Sequence, residues 1–367
     1  LQHRFTLASL QGGDAMEVIF LGVLLHFIGG AASGSFYIPY KKVKGWSWES
    51  YWIVGGVFSW LIVPYIAATL TVPDFAQIIR DADGSTLLWT YLFGVLWGIG
   101  GLTFGLTMRY LGLSLGMSVV LGLTSALGAL MPPLYRDLFT SDTQGTLTSM
   151  LHSSGGLWVL FGVAVSLVGI ALCGRAGAIK EKEVPDETKF ESVAEFALIK
   201  GMIVAVISGV LSACFSYGIT AGKPLADAAI AHGANSLFQN NVTFMVIMWG
   251  GLTTNAIWCL FLNYRNKSFG DYRNRETPLR ANYVLAACAG TLWFLQFFFY
   301  GMGASRMHND ASSWVLHMSF IIIVSNLWGM VFREWRGTSK RTQGILLYGI
   351  AVVLGSICMV GYGNYLS

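Results

Sequence analysis

Long apolar runs alternate with short polar punctuation along the whole chain. Ten such runs follow one another, at 17–38, 50–71, 88–107, 112–131, 156–174, 199–219, 243–263, 282–303, 312–332 and 344–364. Each is long enough to cross a bilayer as a helix, which takes about 20 residues at ~1.5 Å rise. The third and fourth are separated only by the MRYLG turn. Joined, they cover some 44 residues, too many for one crossing, so they read as two spans. The pattern predicts an all-α polytopic membrane protein with ten transmembrane helices.

Composition agrees. Of 367 residues 54% are hydrophobic and 11% charged, where a soluble domain carries about 25% charged residues. The net charge of +4 says little about nucleic acid, because the basic residues sit in short loops between apolar runs. They report orientation instead. Loops after the odd-numbered runs, with Lys200 at the entry to run six, hold 18 of the 23 Lys and Arg, Lys41, Lys42 and Lys44 among them. Those after even runs hold one each: Arg80, Arg136, Lys223 and Arg306. Arg109, in the turn after run three, reads as a topology anchor. Positive charge favours the cytoplasmic side, so both termini are expected outside.

The longest cytoplasmic loop, 175–198, divides the chain into five-run halves, 16–174 and 199–367. Five is odd, so the halves must insert with opposite topology. Internal echoes match. IGGAASGSF (28–36) aligns with ISGVLSACF (207–215), pairing Gly30 with Gly209, Ser33 with Ser212 and Phe36 with Phe215. Gly-Val-Leu-Trp at 94–97 answers Gly-Thr-Leu-Trp at 290–293, and Gly-Val-Ala-Val at 162–165 answers Gly-Ile-Ala-Val at 349–352. The expectation is two inverted five-helix repeats, with any substrate held near the midplane between them. Residues 1–15 are read as an extension or remnant outside the fold, and Met16 as a plausible start. No cleavable signal peptide is evident.

No Walker A loop, dinucleotide fingerprint, HExxH or GxSxG occurs. The chain therefore reads as a non-enzyme without cofactor or metal, and uphill transport would draw on an ion gradient or a separate energising partner. The five cysteines all fall in apolar runs and have no metal spacing. They read as small buried residues, with no disulfide framework.

Ionisable groups inside a span are costly and are functional candidates by default. His26 in run one and His317 in run nine qualify. A histidine titrates near neutral pH and can carry a proton through a transport cycle; the plainer alternative is a neutral histidine bonded between two helices. Asp310, ahead of run nine on the outer side, is a candidate proton entry group or an ordinary loop acid. Lys223 and Asp227, four apart, read as a pair on one helical face. Gln296, in the middle of run eight, needs partners or a polar cavity and has donor and acceptor atoms for a hydroxylated substrate. Asn255 and Asn241 in and near run seven are second-tier candidates. Tyr37, Trp97, Trp293, Phe297, Phe298, Tyr300 and Trp314 lie within or beside the same spans as these polar groups, and aromatic faces stack on the apolar faces of sugars. Trp97 and Trp293, matched between halves and flanked by glycine, are the preferred pathway residues. Trp46, Trp48 and Trp52 are expected to form an interfacial belt. The glycines at 98, 100, 101, 105, 112 and 116 fit close helix packing, and such surfaces also suit rocking between states.

Three segments carry a resemblance. HFIGGAASGSFYIPYKKVKGWSWE (26–49), LFGVLWGIGGLTFGLTMRYLGLSLGMSV (92–119), and GTLWFLQFFFYGMG (290–303) with SSWVLHMSF (312–320) resemble the bacterial L-rhamnose–proton symporter family, within the drug/metabolite transporter superfamily. The likeness runs over nearly the whole chain from Met16; the loops after runs four and seven look more divergent. It implies ten helices, an inner-membrane location, and uptake of L-rhamnose or a close 6-deoxy sugar with protons. By motif, it carries His26, Tyr37, Trp97, Asn255, Gln296, Asp310 and His317 to positions expected to matter. A sodium-coupled sugar carrier and a drug or metabolite exporter of the same superfamily are the rivals. A sugar-sensing receptor is disfavoured for want of a signalling domain. Ten spans can form a complete pathway in a monomer.

Overall fold

The computed structural model describes residues 12–111, 113–141, 143–183, 198–307, 309–332 and 335–367. Among them are ten helices long and apolar enough to cross a membrane and no strand. We label these α1 (Gly12–Ser35), α2 (Trp48–Thr71), α3 (Gly84–Leu111), α4 (Leu113–Phe139), α5 (Ser154–Glu183), α6 (Leu198–Ala221), α7 (Asn241–Asn266), α8 (Leu279–Ala304), α9 (Asp310–Val331) and α10 (Lys340–Leu366). All ten expected spans are present. The boundaries differ in three places. α1 begins at Gly12, inside the segment set aside as an extension. α4 runs on through Pro132 and Pro133 to Phe139. α5 continues to Glu183, so the first part of the expected 175–198 linker is helix. Most of the rest of that linker lies outside the described residues, as do residues 1–11.

Packing partners fall into matched sets. α1 lies against α8 and α9, and α6 lies against α3 and α4. α2 packs on α7 and α8, and α7 packs on α2 and α3. α5 and α10 pair with each other. Small residues set these approaches, as lipid-embedded helices require. A Cβ at Gly30 of α1 would meet Phe320 of α9, and one at Gly209 of α6 would meet Leu123 of α4 at 2.6 Å. A Cβ at Gly94 of α3 would strike the Ile247 carbonyl of α7, and one at Gly290 of α8 would strike that of Gly55 in α2. Gly162 and Gly169 meet Val360 and Val353 in the α5–α10 seam, each at 2.6 Å.

α2 is not uniform. Residues Phe58–Ile62 form a π-helical turn. Pro64, just after it, has no N–H to return to the carbonyl four residues back, at Trp60, and a wider turn absorbs that defect. Polar side chains close several helix ends: Asn309 accepts from the Ala311 N–H at 2.9 Å, and Ser339 accepts from that of Thr342 at 3.2 Å. Lys223 and Asp227 pair at 2.9 Å, as their spacing predicts. The cysteines divide. Cys173, Cys214 and Cys259 are buried as expected, but Cys288 and Cys358 are exposed on outer helix faces; all five are free thiols.

Candidate functional site

α1, α8 and α9 meet around two imidazoles. His26 is fully buried and His317 is 1% exposed. Glycine makes the room: a Cβ at Gly303 of α8 would sit 2.9 Å from His26, and one at Gly29 of α1 would sit 3.4 Å from His317. The ring centroids are 6.3 Å apart. Tyr300 of α8 stands beside both, 5.4 Å from His26 and 5.2 Å from His317. None of the four ring nitrogens has a protein hydrogen-bond partner. An unmade hydrogen bond at a buried polar atom costs roughly 1–3 kcal/mol. The four nitrogens are therefore open to a solute hydroxyl or to water.

An aromatic column leads from this pair through the centre. Tyr300 meets Trp314 edge-on at 5.9 Å, and Trp314 stacks with Phe215 at 6.2 Å. Phe215 stacks on Phe297 at 4.2 Å, and Trp97 stands edge-on to both at 5.1 and 5.6 Å. Trp293 reaches Phe297 at 6.1 Å and Phe36 at 4.4 Å. The Phe36–Trp293 and Phe215–Trp97 contacts join the residue pairs that the internal echoes match. Beyond Phe36 lies a small void between α2 and α8, lined by Trp52, Gly55, Gly56, Ser59 and Trp60 on one side and by Gly290 and Trp293 on the other, with Tyr40 at its edge.

The structure brings His26, His317, Trp314, Trp97 and Trp293 into this one assembly. Five other sequence candidates stand differently. Gln296 is 3% exposed, but its amide donates to the Trp293 carbonyl of its own helix at 3.0 Å. Asn255 joins α7 to α2, accepting from Trp52 Nε1 at 2.9 Å, and donates to the Gly251 carbonyl of its own helix at 2.9 Å. Tyr37 is 40% exposed and stands edge-on to Phe36 at 5.6 Å. Asp310 opens α9 with its side chain 65% exposed, in a 2.6 Å ion pair with Arg136; it lies about two turns, ~10 Å, from His317. Asn241 donates to Thr71 at 2.8 Å.

The expected tryptophan belt is corrected as well. Trp46 is 8% exposed and packs on Tyr283 at 4.9 Å, while Trp52 turns inward to Asn255. Trp46 is held by the loop ahead of α2, and Trp52 lies on the face of α2 that packs on α7. Sequence reasoning placed Tyr300 among the aromatics sharing spans with the polar groups, but it missed Ser59 and Trp60 and saw Phe36 only as an echo of Phe215. Ser59 and Trp60 carry no spacing signal that could have found them.

Ten crossing helices enclosing a buried polar and aromatic centre define a polytopic α-helical membrane protein built to receive a small solute. Comparison with known proteins narrows this. The family described as L-rhamnose-proton symport protein matches residues 15–365. The L-rhamnose-proton symporter of Cronobacter sakazakii is 40% identical over 352 residues, covering 95% of this chain and 98% of its own length. Those of Klebsiella pneumoniae and Salmonella paratyphi A are each 38% identical with the same coverage. The chain belongs to the L-rhamnose-proton symport protein family.

Proposed function

We propose that this chain imports L-rhamnose, or a close 6-deoxy sugar, across the bacterial inner membrane together with protons, by alternating access. Family membership over nearly the full length carries the reading; the buried imidazole pair beside Tyr300 supplies chemistry for the proton. His26 and His317 take and release that proton. A neutral imidazole both donates and accepts, whereas the protonated ring only donates, so protonation changes which groups the pair can hold and favours closure around the sugar. Trp97, Trp293 and Trp314 provide the aromatic wall, with Gln296 beside it on α8 and Asn255 joining α7 to α2 behind it. Tyr37 sits at the inner mouth. Asp310 acts at the outer rim with Arg136, as proton entry or latch, rather than as a direct partner of either imidazole.

We infer two inverted five-helix repeats, 16–174 and 199–367, with both termini periplasmic. The exchange of packing partners between α1 and α6, and between α2 and α7, supports the repeat; the loop charge asymmetry supports the orientation. The test is uptake of labelled L-rhamnose into proteoliposomes under imposed proton or sodium gradients, for wild type and for His26→Gln and His317→Gln. Proton-driven accumulation, lost or uncoupled in the variants, is the expected result. Uptake that follows sodium at fixed pH replaces the proton with sodium, and unchanged coupling in both variants removes the imidazoles from the mechanism.

A further inference from the structure

The inward face of α2 presents Trp52, Gly55, Gly56, Ser59 and Trp60, which recur at i, i+3, i+4, i+7 and i+8, to Gly290 and Trp293 of α8. Three residues of this lining each carry a polar atom buried without a protein partner: Ser59 Oγ, Trp60 Nε1 and Trp293 Nε1. Ser59 and Trp60 are 2% and 4% exposed, so neither bulk water nor lipid headgroups serve them. Trp52 Nε1, on the same face, is satisfied by Asn255. Native interiors leave few such groups, and three around one void point to a ligand with several oxygens.

We propose that Ser59, Trp60 and Trp293 form the subsite that reads the sugar's hydroxyl groups. The proposal rests on the sugar reading above. The two indole N–H groups donate to hydroxyl oxygens. The Ser59 hydroxyl donates or accepts according to the hydroxyl it meets. The ring faces of Phe36 and Trp293, 4.4 Å apart between centroids, take the C–H face of the pyranose. In the described state the void has room for about one water, less than a pyranose needs, so the subsite opens as α2 draws away from α8. The joint lies in the site itself: Ser59 and Trp60 both belong to the π-helical turn Phe58–Ile62, and Gly55 against Gly290 gives the two helices a close contact with no interlocking side chains.

The experiment reconstitutes wild type, Ser59→Ala, Trp60→Phe and Trp293→Phe in proteoliposomes, and compares uptake of L-rhamnose with analogues lacking the 2-, 3- or 4-hydroxyl. Each variant is expected to raise KM for L-rhamnose about tenfold, and to lose discrimination at one hydroxyl because that bond is already gone. L-rhamnose should also change tryptophan fluorescence, with the change reduced in Trp60→Phe and Trp293→Phe but kept in Trp89→Phe, whose residue is 55% exposed. Ser59→Ala removes a single oxygen and tests the subsite whether or not the indole variants accumulate. Unchanged KM and unchanged discrimination in the variants overturn the subsite while rhamnose transport stands. Wild-type vesicles that take up no L-rhamnose under either gradient overturn the sugar reading and the subsite with it.

Discussion

Trp314 separates a wall residue from a sugar ligand. It is 3% exposed, and its indole N–H donates to the Thr124 carbonyl at 2.9 Å, tying α9 to α4. Gly128 of α4 is the seat for the ring, since a Cβ there would collide with it. Trp314→Phe removes this helix–helix bond and part of the ring. The bond is worth about 1 kcal/mol. The lost ring atoms add roughly 1 kcal/mol at ~25 cal/mol per Å² of buried apolar area, and the remaining void adds to that. The expected loss is therefore about 2 kcal/mol, seen as a Tm lowered by a few degrees in a detergent melt. Because the N–H already has a protein partner, KM for L-rhamnose should stay within about twofold of wild type, with any loss in kcat. A tenfold rise in KM at unchanged Tm would refute this reasoning and make Trp314 a direct sugar contact.

Three further outcomes follow from the packing and the surface. Gly290→Ala places a methyl 2.7 Å from the Gly55 carbonyl carbon and should cost about 1–3 kcal/mol through overpacking; Gly84→Ala, with nothing within 4 Å, is the neutral control in the same unfolding titration. The Arg136–Asp310 pair is short but lies at the rim, its side chains 17% and 65% exposed, so Arg136→Ala should lower stability by less than about 1 kcal/mol, and by less still in high salt. Glu183 accepts from the Ser339 N–H at 2.8 Å and from the Thr342 hydroxyl at 3.0 Å, and these bonds hold its carboxyl below the ordinary range. A depressed carboxylate stabilises fully above its unfolded pKa and ceases to do so as pH falls through the folded one. Amide exchange at the start of α10 should therefore quicken only in acid below the ordinary glutamate range, and Glu183→Gln should remove that pH dependence.

The ten spans were legible because bilayer thickness sets a length that apolar runs either meet or miss. His26 and His317 were legible for a related reason: a titratable group in an apolar run is rare enough to stand out in composition alone. What stayed hidden was direction. In water, a helix records its inner face as a stripe of apolar residues. In lipid, the outer face is as apolar as the core, so burial leaves no such record. Trp52 and Trp46 read as belt residues on that account, although Trp52 faces Asn255. Asn255 and Gln296 stood out as polar, yet their hydrogen bonds, to Trp52 and to the Trp293 carbonyl, depend on partners no spacing reveals. Ser59 and Trp60 sit in FSWLIVPY, where neither a serine nor a tryptophan is conspicuous. Their interest comes from a backbone change, the π-helical turn ahead of Pro64, and from a void that only the approach of α8 encloses. Glycine is the residue that crosses this gap. It marks close approach whichever solvent lies outside, and the echoed pairs Gly30 with Gly209 and Gly94 with Gly290 fall at corresponding helix contacts in the two halves. In a membrane chain, then, inward faces are better sought from small residues and their neighbours on the same turn than from polarity. Gly55 and Gly56, followed one turn later by Ser59 and Trp60, are the instance of that rule on which the proposed hydroxyl subsite depends.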